Sequence, residues 1–400
     1  MRALVISDTH FGAWTGEDLL CEAENLAVIE PQLDVDEVIL LGDMLDFLFS
    51  PLRRALMAAG GLFDLLRDKL QGKKFVFLAG NHDHHLVARE AEEVIELALG
   101  AADSAGGLPD TRRGTEGFRR LLERRLEGVQ VEIHYPTYTF ADVLCTHGHY
   151  LDLHARRVGS FPSQLFGRVI WSVSVGRRHA PTLDDYEATT QLLTGMLFTI
   201  AQLPNGTHAQ RRVYRTFQSL ERAIGAATSP ARAVEQLAHR VRQRASGRSE
   251  GMAEQDVAAY DDARTQEQER RRRAGAPSGG EAASYALARR VRPSDPVQPA
   301  VEAFEQVVTN LGWARDTDKI VFAHTHQPLD GVLGPSGRWR YWNTGSWIYE
   351  PDLSSRRAYT AYLRNAWPGT AVLIDSDAPE PRLLRLRGHL NPITRGTFSE

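Results

Sequence analysis

A chain of 400 residues, 42% of them hydrophobic and 24% charged, has the material for a large folded core, which excludes a disordered or low-complexity protein. Its formal net charge of -4 is close to neutral for this length, so bulk electrostatics do not favour nucleic acid as a partner. The two cysteines, Cys21 and Cys145, lie far apart without paired spacing; this excludes a disulfide framework or a thiolate metal site and fits a reducing, cytoplasmic setting.

In chain order, "RALVIS" starts at once as a strand, with none of the charged and apolar regions of a signal peptide. "DEVILL", "KKFVFLA" and "ADVLCT" also have the length and the Val, Ile, Leu and Phe content of buried strands. Between them, "GEDLLCEAENLAVIEPQL" and "PLRRALMAAGGLFDLLRDKL" place apolar residues at helical spacing. The alternation predicts a layered α/β core over residues 1–152. From 153 to 243 long helical stretches such as "DDYEATTQLLTGMLFTIAQLP" predict a helical insertion. Its early Phe161, Leu165, Phe166 and Trp171 fit a lid over an apolar or nucleotide-containing substrate, a dimer interface or simple decoration. Residues 244–299, rich in Arg, Glu, Ala, Gly and Ser, predict a mobile linker with one or two marginal helices. The α/β pattern resumes over 300–375. There "PAVEAFEQVVTNLGW" is expected to be a helix, "KIVFAHTH" a strand, and "GPSGRWRYWNTGSW" and "AYTAYLRNAWPGTAVLIDSD" hairpins; 376–400 follow as a C-terminal extension. No apolar run reaches the roughly 20 residues of a transmembrane helix, so no transmembrane segment is expected, while peripheral membrane contact stays open.

Five strand-like runs end in the same kind of punctuation. They lead into Asp8-Thr9-His10, Gly42-Asp43-Met44-Leu45-Asp46, Gly80-Asn81-His82-Asp83, His147-Gly148-His149 and His324-Thr325-His326. Carboxyl ends of strands in α/β sheets form the ligand crevice, so these clusters are expected to converge although they span more than three hundred residues. Each alone is an ordinary polar turn; together they form a donor set of Asp, Asn and His with no Cys. That set suits two divalent ions of the Mn, Fe, Zn, Ni or Co type rather than a structural zinc.

The ordered series "SDTH", "LGDMLD", "AGNHD", "THGH" and "FAHTH" resembles the calcineurin-like metallophosphoesterase superfamily, over residues 1 to about 152 and about 300 to 375. The resemblance implies a layered β-sandwich flanked by helices, with a helical insertion. It also implies a dinuclear metal-dependent hydrolase in which a metal-bridging hydroxide attacks the phosphorus of a phosphate ester. By the same resemblance Asp8, His10 and His326 hold one ion, Asn81, His147 and His324 the other, and Asp43 bridges them. His82 would protonate the leaving oxygen, with Asp46 orienting it. Asp83 is expected to brace the loop or to act in catalysis, and His149 to face substrate or to support His147. His84 and His85 are expected to be turn or helix-start residues outside the chemistry, and His134, His154, His179 and His208 have no partner pattern.

One departure is Ala323, where the family's last motif usually begins with Gly. Further on, "YWNTGSWIYE" is similar to a stretch in branches that include UDP-2,3-diacylglucosamine pyrophosphatases, which makes a nucleotide-sugar or lipid-linked pyrophosphatase the second reading. His82 stands where that lipid branch generally carries Arg, which argues against that substrate. A non-catalytic protein-binding scaffold of the same fold is the remote alternative, and it would have lost some of these ligands. Substrate, metal identity and oligomeric state are not encoded in the motifs.

Overall fold

In the computed structural model, residues 1–13, 17–87, 116–154, 181–203, 254–273, 297–353 and 355–393 are described. The strands are β1 (Arg2–Ile6), β2 (Glu17–Asp18), β3 (Glu37–Leu41), β4 (Lys74–Leu78), β5 (Gln130–His134), β6 (Thr137–Phe140) and β7 (Val143–Thr146). The second half adds β8 (Lys319–Phe322), β9 (Leu329–Leu333), β10 (Arg340–Asn343), β11 (Ile348–Tyr349), β12 (Thr370–Asp375) and β13 (Arg382–Arg385). They form a six-stranded sheet in the order β13-β12-β1-β3-β4-β5 and a five-stranded sheet in the order β6-β7-β8-β10-β9; β2 and β11 pair separately.

Strands that are apolar at every position need cover on both faces. Here Ala3, Val5, Ile39, Leu41, Val76 and Leu78 of the first sheet pack onto Val143, Cys145, Val321, Ala323 and Trp342 of the second. The alternate residues Leu4, Ile6, Val38, Leu40, Phe75 and Phe77 face the other way, onto Ile29, Leu62, Phe63, Leu66 and Leu122 of the helical layer. On the far side Leu144, Ile320 and Phe322 pack onto Val301, Phe304 and Val308 of helix Gln298–Leu311. The result is a helix-sheet-sheet-helix sandwich, the layered α/β fold expected.

Within the first sheet β1, β3, β4 and β5 run parallel, and in the second β7 and β8 do. Parallel strands end at the same edge, so the loops after β1, β3 and β4 meet those after β7 and β8 where the two sheets abut. Backbone bonds stitch these ends together: Asp8 N donates to Gly42 O at 3.1 Å, Ala323 N to His147 O at 3.1 Å and Trp347 N to Asp8 O at 3.0 Å.

Two readings of the second half change. "GPSGRWRYW" does turn between the antiparallel β9 and β10, but the second expected hairpin is helix Arg356–Asn365 followed by β12. Its buried Tyr359, Tyr362 and Leu363 recur at helical, not alternating, spacing, and the Ser355 side chain caps the helix by accepting from Ala358 N. Within the stretch expected to be a linker with one or two marginal helices, helix Glu254–Arg273 is described, and it buries Tyr260 and Ala263 against Tyr359, Tyr362 and Leu363. Within the expected C-terminal extension, β13 closes the edge of the six-stranded sheet beside β12. Of the expected insertion, helix Leu183–Gln202 is described; Phe161, Leu165, Phe166, Trp171, His179 and His208 lie outside the described residues. Among the described residues no helix is long and apolar enough to cross a membrane.

Candidate metal centre

All five clusters meet at the abutting sheet edges, in three buried groups: Asp8 with His10 and His326, Asp43 with His147 and His324, and His10 with Asp46 and His82. The ligand-bearing loops turn so sharply that Asp8, His10, Asp43, His324 and His326 all adopt positive φ, between 47° and 69°. Such backbone costs about 1–3 kcal/mol per residue and persists where surrounding structure enforces it, typically at functional sites. Ala323 is not among these residues, so its side chain meets no conformational penalty.

In the first group, Asp8 Oδ2 accepts from the Ser7 hydroxyl at 2.5 Å and from His324 N at 3.2 Å. Its Oδ1 is buried with no well-formed hydrogen bond and faces His326 Nε2 at 3.0 Å and His10 Nε2 at 3.8 Å. The two imidazole Nε2 atoms themselves stand 3.2 Å apart. In the second group Asp43 Oδ2 lies 3.3 Å from His147 Nε2, which is also 3.3 Å from Asn81 Oδ1. Asp43 Oδ2 is 3.8 Å from His10 Nε2 as well, so this one carboxylate touches both groups. A buried carboxylate oxygen without a donor, among inward-facing imidazole nitrogens, is the environment a divalent cation satisfies.

The outward nitrogen of each imidazole is anchored. His10 Nδ1 donates to Asp46 Oδ2 at 3.2 Å, His147 Nδ1 to the Leu41 carbonyl at 2.9 Å, and His326 Nδ1 lies 3.0 Å from Glu350 Oε1. His324 presents Nε2 to Asp152 Oδ2 at 3.2 Å, and its Nδ1 is buried without a hydrogen bond. This is the arrangement that fixes tautomer and ring orientation in metal-binding histidines. Sequence reasoning missed Asp152 and Glu350. The signal available was chemical: a histidine that holds a metal needs an acceptor for its second nitrogen, and Asp152 stands three residues after His149 while Glu350 ends the stretch "YWNTGSWIYE".

Burial alone would push the carboxylates up, but the imidazoles outweigh it. His326 and His10 hold Asp8 well below the usual carboxylate range, and His147 with His82 does the same for Asp43. Asp46 is held at about 2, against burial, mainly by His82 and His10. Burial would lower the histidines, yet Asp46, Asp8 and Asp43 lift His10 to about 10, and Asp43 with Asp8 lifts His147 to about 9.

His82 Nδ1 donates to Asp46 Oδ1 at 2.9 Å, and its Nε2 lies 3.9 Å from Asp43 Oδ2. Asp46 therefore holds His10 and His82 at once, and its Oδ1 also accepts from Phe49 N at 3.0 Å, closing the turn that follows; the next helix, Leu52–Ala58, starts after Pro51 without it. Asp83 accepts from Gly80 N, Met44 N and Leu45 N, which is a loop brace. A Cβ on Gly80 would meet Asp43 Oδ1 and, at 2.7 Å, His147 Nε2; only glycine leaves room there.

His149 is buried, and neither of its ring nitrogens has a hydrogen-bond partner among the described residues. His84 and His85 start the short 3-10 helix His84–Leu86, as one of the two expectations had it, and both also reach a partner: His84 Nε2 lies 2.8 Å from Glu187 Oε2, and His85 stacks on Phe198 with ring centroids 4.0 Å apart. His134 pairs with Glu132 at 2.9 Å and His154 with the Tyr186 hydroxyl at 2.7 Å. In "YWNTGSWIYE", Asn343 Nδ2 donates to Ala323 O and Thr344 Oγ1 meets Ser7 Oγ. The stretch thus braces the loops of Asp8 and His324.

The sandwich and its buried Asp/His clusters define a protein built to hold metal between two sheet edges. Residues 1–185 match the family model of the calcineurin-like phosphoesterases. This part of the chain belongs to the calcineurin-like phosphoesterases, a family that generally hydrolyses phosphoester bonds; the matched span carries all the early motifs, and the fold brings His324 and His326 to them. No match was found among curated proteins.

Proposed function

We propose that the chain is a dinuclear metal-dependent phosphoesterase. The observation that carries this reading is Asp43, a carboxylate within reach of both His10 and His147 between two buried ligand groups. Asp8, His10 and His326 would hold one ion, and Asn81, His147 and His324 the other, with Asp43 common to both. Ions bound there supply a nucleophile from water near neutral pH and neutralise the phosphoryl oxygens as charge develops. The protein's part is orientation and proton delivery. Ionised Asp46 fixes the Nδ1 proton of His82 and leaves Nε2 facing the Asp43 side of the site, where it would protonate the leaving oxygen.

The test is metal-loaded protein assayed on bis(p-nitrophenyl) phosphate beside p-nitrophenyl phosphate. A panel of nucleotides, cyclic nucleotides, nucleotide-sugar pyrophosphates and single-stranded DNA would then sort diesterase, monoesterase and pyrophosphatase. Asp43→Ala is expected to lower turnover by orders of magnitude with the circular dichroism spectrum unchanged; undiminished metal-dependent activity in that variant would refute the proposal. The scaffold reading predicts no bound metal and no hydrolysis of any generic ester.

A further inference from the structure

Helix Leu183–Gln202 belongs to none of the layers of the sandwich, yet it buries a carboxylate at its contact with them. Glu187 is 2% exposed. Its Oε2 faces His84 Nε2 at 2.8 Å, and its Oε1 accepts from the Tyr135 hydroxyl at 2.5 Å and from the Tyr150 hydroxyl. Burying a carboxylate costs several kcal/mol unless donors surround it, so a helix added as decoration would meet the core with apolar side chains instead. The donors come from defined places. His84 stands two residues after His82 on the loop following β4; Tyr150 stands three after His147 on the loop following β7; Tyr135 directly follows β5.

The rest of the helix follows the same rim. Tyr186 is held by His154 and by Asn310 Nδ2 at 2.9 Å. Phe198 stacks on His85, and Gln202 Oε1 accepts from Leu52 N at 2.9 Å. Gln202 thereby reaches the chain just past Asp46, while Glu187 ties the two loops that carry Asn81, His82 and His147.

We propose that Glu187 is a positioning residue that, through His84 and Tyr150, fixes the loop of His82 relative to the loop of His147. The proposal rests on the reading of His82 as the proton donor. Glu187→Gln keeps the size and one acceptor oxygen but turns an amide donor toward either His84 or the tyrosines. That shifts the His82 loop without removing a ligand. Phe198→Ala loosens the same helix at its contact with His85 while leaving the Glu187 carboxylate and its three donors intact, and serves as the structural control.

A misplaced proton donor slows esters that need protonation on departure, whereas p-nitrophenolate leaves without it. Glu187→Gln should therefore lower kcat on diphenyl phosphate by roughly 10- to 100-fold and kcat on bis(p-nitrophenyl) phosphate by much less. KM and metal content should stay at the wild-type values, with Phe198→Ala lowering both rates alike. The double variant His84→Gln/Glu187→Gln should be no slower than the slower single variant. A second readout needs no turnover: the imidazole NMR signal of His82 should move in Glu187→Gln and stay in place in Phe198→Ala. An unmoved His82 signal, or equal losses on the two esters, would overturn the positioning role. Absence of hydrolysis by the wild-type protein together with a displaced His82 signal would uphold the positioning and remove the proposed reaction instead.

Discussion

Replacing Asp46 by Asn tests the centre at one atom pair. Asp46 Oδ1 accepts from Phe49 N and His82 Nδ1, and Oδ2 accepts from His10 Nδ1. In Asp46→Asn the amide oxygen can keep the first two partners, so the backbone turn survives. The amide nitrogen then faces His10 Nδ1, donor against donor, and His10 relieves the conflict by moving its proton to Nε2. That nitrogen stands 3.2 Å from His326 Nε2 and 3.8 Å from Asp8 Oδ1, where it is proposed to bind an ion. Loss of such an orienting partner typically weakens metal affinity about 10- to 100-fold. The His10 bond is lost outright, at about 1.5 kcal/mol, and the His82 bond, kept as a neutral one, loses about half as much. Together these two bonds amount to about 2 kcal/mol, or roughly 30-fold in kcat/KM at saturating metal. The assay is metal per chain against free metal concentration, then kcat/KM on bis(p-nitrophenyl) phosphate, with thermal unfolding as the fold control. Full metal occupancy at the wild-type midpoint and undiminished kcat/KM would refute the reasoning.

Three further outcomes are expected. In metal-free protein His10 and His147 titrate near 10 and 9, raised from 6.5 by the site carboxylates after burial has lowered them. Their stabilisation is complete below pH 6.5 and is lost as pH rises through 9 and 10, so metal-free protein should melt at lower temperature in that window. At pH 7 metal binding should release protons, giving an affinity that rises with pH, read by calorimetry in buffers of different ionisation enthalpy; no proton release would contradict the raised values. Glu350→Gln and Asp152→Asn should each weaken a different one of two Co²⁺ binding steps by about 10- to 100-fold, since Glu350 orients His326 and Asp152 orients His324. Weakening of the same step by both would break the two-ion assignment.

The central strands were legible because their runs are apolar at every position and end in Asp, Asn or His. Both properties are local, and both follow from lying between two layers with the carboxyl end at a ligand site. "RRAYTAYLRN" misled because its tyrosines satisfy a strand's composition while their buried spacing is helical; only the Ser355 cap marks the start. β13 was hidden by the polar Arg382 and Arg385 that suit an exposed sheet edge.

Proposed ligands and the groups that orient them differ in how sequence encodes them. A ligand must follow a strand end at a fixed short offset, so Asp8, Asp43, Asn81, His147 and His324 each sit in a readable motif. An orienting acceptor needs only to arrive in space, and Asp152, Glu350 and the Leu41 carbonyl arrive from three different loops or strands. Glu187 is further removed, since it belongs to a helix outside the matched motifs and meets His84 from 103 residues away. For the same reason only the backbone of His84, a turn or helix start, was legible: its partner is set by the path of the inserted helix, and nothing in "GNHDHH" records that path. The excess of histidine in that stretch thus divides between two tasks, His82 turned to Asp46 inside the site and His84 and His85 turned outward to hold the helix beside it.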